Sequence, residues 1–530
     1  MIKDIAKTTF CDFPKTSSLI DDLTTSCLKK FTIHFRRPAT IKQKNNAPYQ
    51  GQYGFDWLRD EYIYPIEFVD LKEDQFRNLI YIKKYTPLCQ QPYFLKKEYL
   101  KDVKNPIKPY NKDYYPAWLA IYACNIEGNA NSSMHNKGVD LNLQLDEIDS
   151  INDDGTEIIL KPGKSCLKVN PTQIPISKFI AQGKKTRILD QYSKEKVNYY
   201  EIENAVNVIC QGGTLDTHEE IKVFAKLGDT EIEVGKLMVY QNNIIPKLKI
   251  NLVSVILEKD EKGNKIRPDY VKSINSLLSN KTFNQALIKP EITSIEEFDM
   301  LKFSEENPQN SKLKSFLDNV KNKALMSKKV SKNKSPDKYV FFRIIHYYKV
   351  YKEILNSFNE KQSNPQNHIV TLFFVTVNPL NGRIGGLTIK DFKEINHKGI
   401  IIEEKMLYHG YSIYFQNSLK DNCTIQHELG HSLTLHHIFE KQVSSPPITE
   451  RLFNQFELNN FNIYSEVTND FVFYQGYTEN IMDYSFKRVS IKIEKNYVLS
   501  NSDDNKYRGN RYSFFKWQWD LMRNSPVLVY

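Results

Sequence analysis

No apolar run in this 530-residue chain reaches the roughly 18 residues that a membrane-spanning helix needs, so no transmembrane segment is expected. The opening MIKDIAKTTFCDFPKTSS has no apolar core of the kind that a secretory signal carries, so no usual signal peptide is expected. The seven cysteines (Cys11, Cys27, Cys89, Cys124, Cys166, Cys210 and Cys423) are odd in number, scattered and never spaced C-x-x-C. That spacing indicates neither a disulfide framework nor a cysteine zinc site. Glycine and proline are scarce, 20 and 22 residues, which argues against long linkers or collagen-like repeats. A net charge of +10 is thinly spread over so long a chain, and no basic stretch interleaves aromatics as a single-strand binding surface does. No nucleic-acid partner is expected. The Lys-rich stretch 321–338 reads as a solvated loop or linker.

What is present suits packed sheets and helices: 40% apolar residues, with 32 Tyr and 30 Phe. The length calls for more than one core. Residues 1–125 mix apolar-aromatic segments with turns, among them FTIHF (31–35), YIYPIEFV (62–69) and YYPAWLAIYAC (114–124). They are expected to form a β-rich accessory domain. In 126–248, alternating segments such as VDLNLQL (139–145), EIKVFAKL (220–227) and EIEVGKLMVY (231–240) predict an all-β, sandwich-like domain. From 249 the order changes. INLVSVILE (250–258) precedes helical patterns within 268–288 and 337–359, then the strands HIVTLFFVTV (368–377), GGLTI (385–389), GIIIEEKM (399–406) and YSIYFQN (411–417). Strands mixed with helices predict an α+β domain over 249–530.

The chemistry lies in the next helical segment, DNCTIQHELGHSLTLHHIFE (421–440). Ser418 and Asp421 form a plausible capping box before it, with Asp421 or Asn422 as alternative caps. His427 and His431 are four apart, so they leave one helix face together and can reach a single metal ion. Glu428, beside the first of them, is placed to take a proton from a water held by that ion. Zn²⁺ lowers the pKa of such a water toward ~7, which makes it a nucleophile for a polarised carbonyl. Were the helix unbroken, His436 and His437 would lie off this face, so a turn after about Leu433 is needed for either to join.

HELGHSLTLHH resembles the metzincin motif H-E-x-x-H-x-x-G-x-x-H, and the resemblance makes His437 the third ligand. It departs at one place. Thr434 stands where the family has the glycine that ends the helix, and a β-branched residue is strained at positive φ by roughly 1–2 kcal/mol. YTENIMDYS (477–485) resembles the family's methionine turn, with Met482 as the turn residue. With HHIF and FFKWQWDLMR (514–523), it is similar to the pappalysin branch. The resemblance implies a zinc peptidase fold over about 250–530. It gives Tyr484 a possible role on the metal or the oxyanion, and makes the strand Tyr411, Ser412, Ile413, Tyr414 and Phe415 the edge that pairs with a protein or peptide substrate.

Two alternatives stay open. Glu466, with Asp470 four later, loosely resembles the downstream ligand pattern of gluzincins. The β-rich N-terminal half also fits a delivery or binding protein carrying a vestigial zincin domain. YQGQYGFDWLRDEY (49–62) resembles accessory regions of bacterial secreted or contact-delivered effectors, which implies export without a cleaved signal and a secretion-machinery or accessory partner for the N-terminal half. Cys423 is expected to be an inert buried thiol. Cys11 does not resemble a latency switch.

Overall fold

The computed structural model describes residues 28–42, 47–73, 79–126, 133–321, 353–361, 368–377, 385–397, 400–439, 471–485, 489–493, 496–500 and 505–530. Cys11, Glu466, Asp470 and nearly all of the Lys-rich stretch lie outside the described residues, as does most of the helix expected over 337–359. The architecture is α+β and rich in strands.

The N-terminal strands are β1 (Phe31–Arg36), β2 (Gly54–Asp56), the hairpin β3 (Ile66–Glu73) and β4 (Leu79–Thr86), and β5 (Ala117–Ala120). Then come β6 (Val139–Glu147), β7 (Glu157–Pro162), β8 (Leu167–Asn170), β9 (Gln173–Pro175), β10 (Lys185–Asp190), β11 (Glu195–Cys210), β12 (Glu219–Leu227) and β13 (Thr230–Val239). All of these except the β3–β4 hairpin join one eleven-stranded sheet along the path β10-β11-β6-β1-β13-β12-β7-β9. β8 pairs with β11, and β5 links β2 to β13. The sandwich predicted for 126–248 is therefore part of a single hydrogen-bonded sheet, and the boundary predicted at 125 falls inside it. β1 runs antiparallel to β6 and parallel to β13, so its partners lie more than a hundred residues downstream. Local alternation gives β1 its faces, with Phe31, Ile33 and Phe35 buried in the core, but not its neighbours.

A second sheet is built from β14 (Lys247–Ile256), β15 (Lys289–Asp299), β16 (Ile369–Phe374), β17 (Gly386–His397) and β18 (Ile400–Tyr414). Its order is β15-β14-β16-β18-β17, with every neighbouring pair parallel except β17 against β18. GIIIEEKM and YSIYFQN, predicted as two strands, form one continuous β18. This corrects the expected substrate edge. Residues 411–414 are interior, with Tyr411 opposite Thr371 on one side and Ile389 on the other. Phe415 follows the strand and donates its N–H to Gly385 O at 2.9 Å. Tyr411, Ser412, Ile413, Tyr414 and Phe415 are all buried. Among the described residues the sheet ends at β15 on one side and at β17 on the other, and the polar residues of β17 give no stronger edge signature than those of β18.

The two halves share a core. Leu58, Tyr62, Leu95, Tyr99 and Trp118 from the N-terminal part pack in one cluster with Ile425, Leu429, Met482, Phe515 and Trp519. Tyr62 meets Phe473 and Phe515 edge-on, at 5.0 and 5.7 Å between ring centroids. A fragment of residues 249–530 would lose this cover. Such a fragment is expected to aggregate or to unfold without a cooperative transition, whereas the full chain melts cooperatively. Thermal unfolding followed by near-ultraviolet circular dichroism checks this, and a cooperative transition in the fragment would refute it.

Candidate metal centre

Local chemistry sets both ends of the helix Asn422–Ser432. Asp421 is the cap, its carboxylate accepting from Cys423 N (3.1 Å) and Thr424 Oγ1 (2.6 Å). Ser418 Oγ donates to Phe415 O instead, at 3.0 Å. The far end is a Schellman motif, with Thr434 N donating to His431 O and Leu435 N to Gly430 O, each at 3.0 Å. That motif needs a left-handed residue just past the helix, and Thr434 fills the place at φ 75°. The glycine is missing but its conformation is not. The chain reverses there, as expected, and carries His437 back to the helix.

His437 Nε2 lies 3.0 Å from His427 Nε2 and 3.2 Å from His431 Nε2. His427 Nδ1 is 2.9 Å from Ile481 O, and His431 Nδ1 is 2.8 Å from Leu435 O. A carbonyl oxygen only accepts, so each Nδ1 carries the proton and each Nε2 turns a lone pair inward. The three ligand atoms lie within 4.8 Å of one another, and this cluster could hold a metal ion. Burial, aided by neighbouring His437, pushes the His427 imidazole well below its ordinary pKa and keeps it in the neutral, ligating form. His436 is buried beside the cluster but is not one of the three.

Glu428 is buried next to this cluster. Burial pushes its carboxyl up to about 7, against the opposing pull of a Thr388 hydrogen bond and of His437. Thr388 Oγ1 lies 2.8 Å from Glu428 Oε2 and 2.8 Å from Ser412 Oγ, which in turn sits 3.0 Å from Ser432 Oγ. β17 passes against the same side chain. A Cβ at Gly386 would lie 2.5 Å from Glu428 Cγ, so only glycine lets the strand come this close.

YTENIMDYS forms a tight loop beneath the helix. Asp483 gathers it by accepting from Gly476 N (2.7 Å), Thr478 N and Thr478 Oγ1 (both 2.8 Å). Asn480 accepts from Met482 N at 2.9 Å and donates to Gln518 Oε1 at 2.7 Å, which ties the loop to the helix Lys516–Arg523. Met482 is fully buried, with its Sδ against Gly430, where a Cβ would come within 2.5 Å of it. Tyr484 approaches the ligands, its ring 4.9 Å from that of His437 and 5.8 Å from that of His427. Phe439 stacks on His437 at 5.0 Å.

The structure thus brings together His427, Glu428, His431, His437, Met482 and Tyr484, and adds Thr388, Gly386, Phe439 and the Ile481 carbonyl. GGLTI was expected only as a strand, although Gly386 and Thr388 stand within it. The other additions had no sequence signal, because ring stacking and a carbonyl's aim are properties of the folded chain. Cys423 is buried, and burial raises its thiol pKa, as an inert cysteine requires. No protein-family model matches the chain, and the search of curated proteins also finds no match.

Thr434→Gly is expected to stabilise the protein by roughly 0.5–1 kcal/mol, since relief of the left-handed strain outweighs the added freedom of glycine in the unfolded chain. The threonine's contact with Leu521 O, at 3.4 Å, is too long to reverse that sign. Denaturant unfolding measures the difference.

Proposed function

We propose that the chain is a zinc-dependent endopeptidase. One observation carries the proposal: three imidazole nitrogens converge at 3.0 and 3.2 Å with Glu428 beside them. Zinc bonds of ~2.0–2.1 Å in a tetrahedron separate ligand nitrogens by ~3.3 Å, close to both distances from His437 Nε2. Three protein ligands also leave one position open, as a catalytic rather than a structural site requires. A zinc ion held there supplies Lewis acidity, acidifying a water and polarising a substrate carbonyl.

The chain's own residues do the rest. Glu428 accepts the water's proton and passes it to the departing amine. Thr388 holds Oε2 of that carboxylate, and Oε1 makes no hydrogen bond among the described residues, so it is left for the water. Tyr484 is assigned to steady the negative charge that develops on the carbonyl oxygen. An extended peptide adds along the outer side of β17, which pairs only with β18 among the described residues, with main-chain hydrogen bonds setting its register over Glu428. The metzincin-like motif and methionine turn support the same reading. Retention of Glu428 beside a formed ligand cluster favours it over a vestigial binding domain. With His437 in reach of both other histidines, no ligand from the Glu466 segment is required.

The first test is hydrolysis of a labelled generic protein by the full chain, alongside a zinc determination. About one zinc per chain is expected, with activity lost on chelation. Glu428→Ala should keep the metal and lose about 10²–10⁴-fold in rate. His437→Ala should lose the metal itself. A purified chain without zinc would overturn the proposal. Gly386→Ala should lower kcat by about 10–100-fold through displacement of Glu428, with zinc content unchanged, and steady-state kinetics read this.

A further inference from the structure

Segment 49–62, set apart in the sequence by its aromatics and charges, lies nowhere near the ligands in the chain. In the fold it reaches them through a single carboxylate. Glu479, three residues before Met482, is buried. Its Oε1 accepts from Arg37 Nη2 at 2.6 Å and from Arg59 Nη2, and Thr40 Oγ1 stands 3.3 Å from Oε2. Burial alone would raise the Glu479 pKa, yet the two guanidinium groups hold it down at about 2, so the carboxylate stays charged. Both cations are themselves fixed. Arg37 lies over the Tyr49 ring at 3.8 Å and Arg59 over the Trp57 ring at 3.9 Å. Asp56 accepts from Arg59 Nη1 (3.3 Å), Tyr99 OH (2.6 Å) and Lys516 N (2.8 Å), so the same cluster touches the first turn of the C-terminal helix. Two residues beyond Glu479, the Ile481 carbonyl receives the Nδ1 proton of His427.

We propose that Arg37 and Arg59 are positioning residues of the metal centre. Through Glu479 they fix the backbone of the methionine loop, and through the Ile481 carbonyl that loop fixes the ring and tautomer of the first ligand. The N-terminal segment is then a working part of the site rather than an accessory. The inference rests on the reading of His427, His431 and His437 as metal ligands. Partners that orient a ligating histidine typically alter metal affinity by about 10–100-fold when removed. Here the orienting carbonyl depends on an ion-pair cluster supplied from the other end of the chain.

The test compares the full-length wild type with Arg59→Met, Arg59→Lys and Glu479→Gln, and with Glu220→Gln as a control. Glu220 pairs with the buried Lys236 (2.6 Å) in the eleven-stranded sheet, away from the ligands. Zinc affinity is measured by competition with a chelating indicator, and the visible spectrum of the cobalt-substituted protein reports the geometry of the ligands. Both are recorded well below the melting temperature of each metal-free variant. Arg59→Met and Glu479→Gln are expected to bind zinc about 10–100-fold more weakly with an altered cobalt spectrum. Arg59→Lys, which keeps the cation, should recover most of the affinity. Glu220→Gln should lower the melting temperature and leave both metal readouts at wild-type values. Glu479→Gln keeps the side-chain volume and answers the question if Arg59→Met does not fold. Wild-type affinity and spectrum in folded Glu479→Gln would overturn the inference, as would equal weakening in Glu220→Gln. A wild type that binds neither zinc nor cobalt would instead overturn the metal reading on which it rests.

Discussion

Three imidazole rings bring their Nε2 atoms to 3.0 and 3.2 Å only where each ring is held in place. The site depends on that constraint. Each supporting feature fixes one of the rings. The Ile481 and Leu435 carbonyls set the protonated side of two rings, and Phe439 closes on the third. The strain at Thr434 belongs to the same account. A left-handed residue is what returns His437 to the helix, and the Schellman hydrogen bonds hold that residue where its side chain alone would not choose to be.

The sequence made the histidine cluster more legible than the architecture. His427, Glu428 and His431 could be placed because helical periodicity decides which residues share a face. The turn at Thr434 followed from the same periodicity, since His437 has no other way back. Apart from β15, which was not expected, the strands of the second sheet were also visible as apolar runs between polar turns. Pairing was not. Nothing local distinguishes an interior strand like β18 from an edge strand like β17, because both alternate and both carry charge. The choice depends on where β16 lies, and β16 is brought alongside by tertiary folding.

The same limit explains the misplaced boundary at 125. β1 looks self-sufficient in the sequence, a six-residue alternating strand, yet its partners are β6 and β13. Parallel pairing with β13 brings Gly235 so near that a Cβ there would meet Ile33 O at 2.3 Å, a contact only the assembled sheet could disclose. Thr388, Arg37 and Arg59 were illegible for a related reason. Each is an ordinary residue type whose partner is a side chain tens or hundreds of residues away. Motifs reveal the groups that touch a ligand, whereas the groups that hold those groups still are dispersed through the chain.

The clasp of Glu479 between Arg37 and Arg59, with Gln518 holding the same loop from the C-terminal helix, also bears on timing during synthesis. The ligand-bearing helix emerges from the ribosome before the loop beneath it, and that loop emerges before the helix that ties it down. The nascent chain therefore carries its histidines for some while without the means to hold them in register. A chain that stops short of Lys516–Arg523 would carry the three histidines without the helix that ties down the loop beneath them.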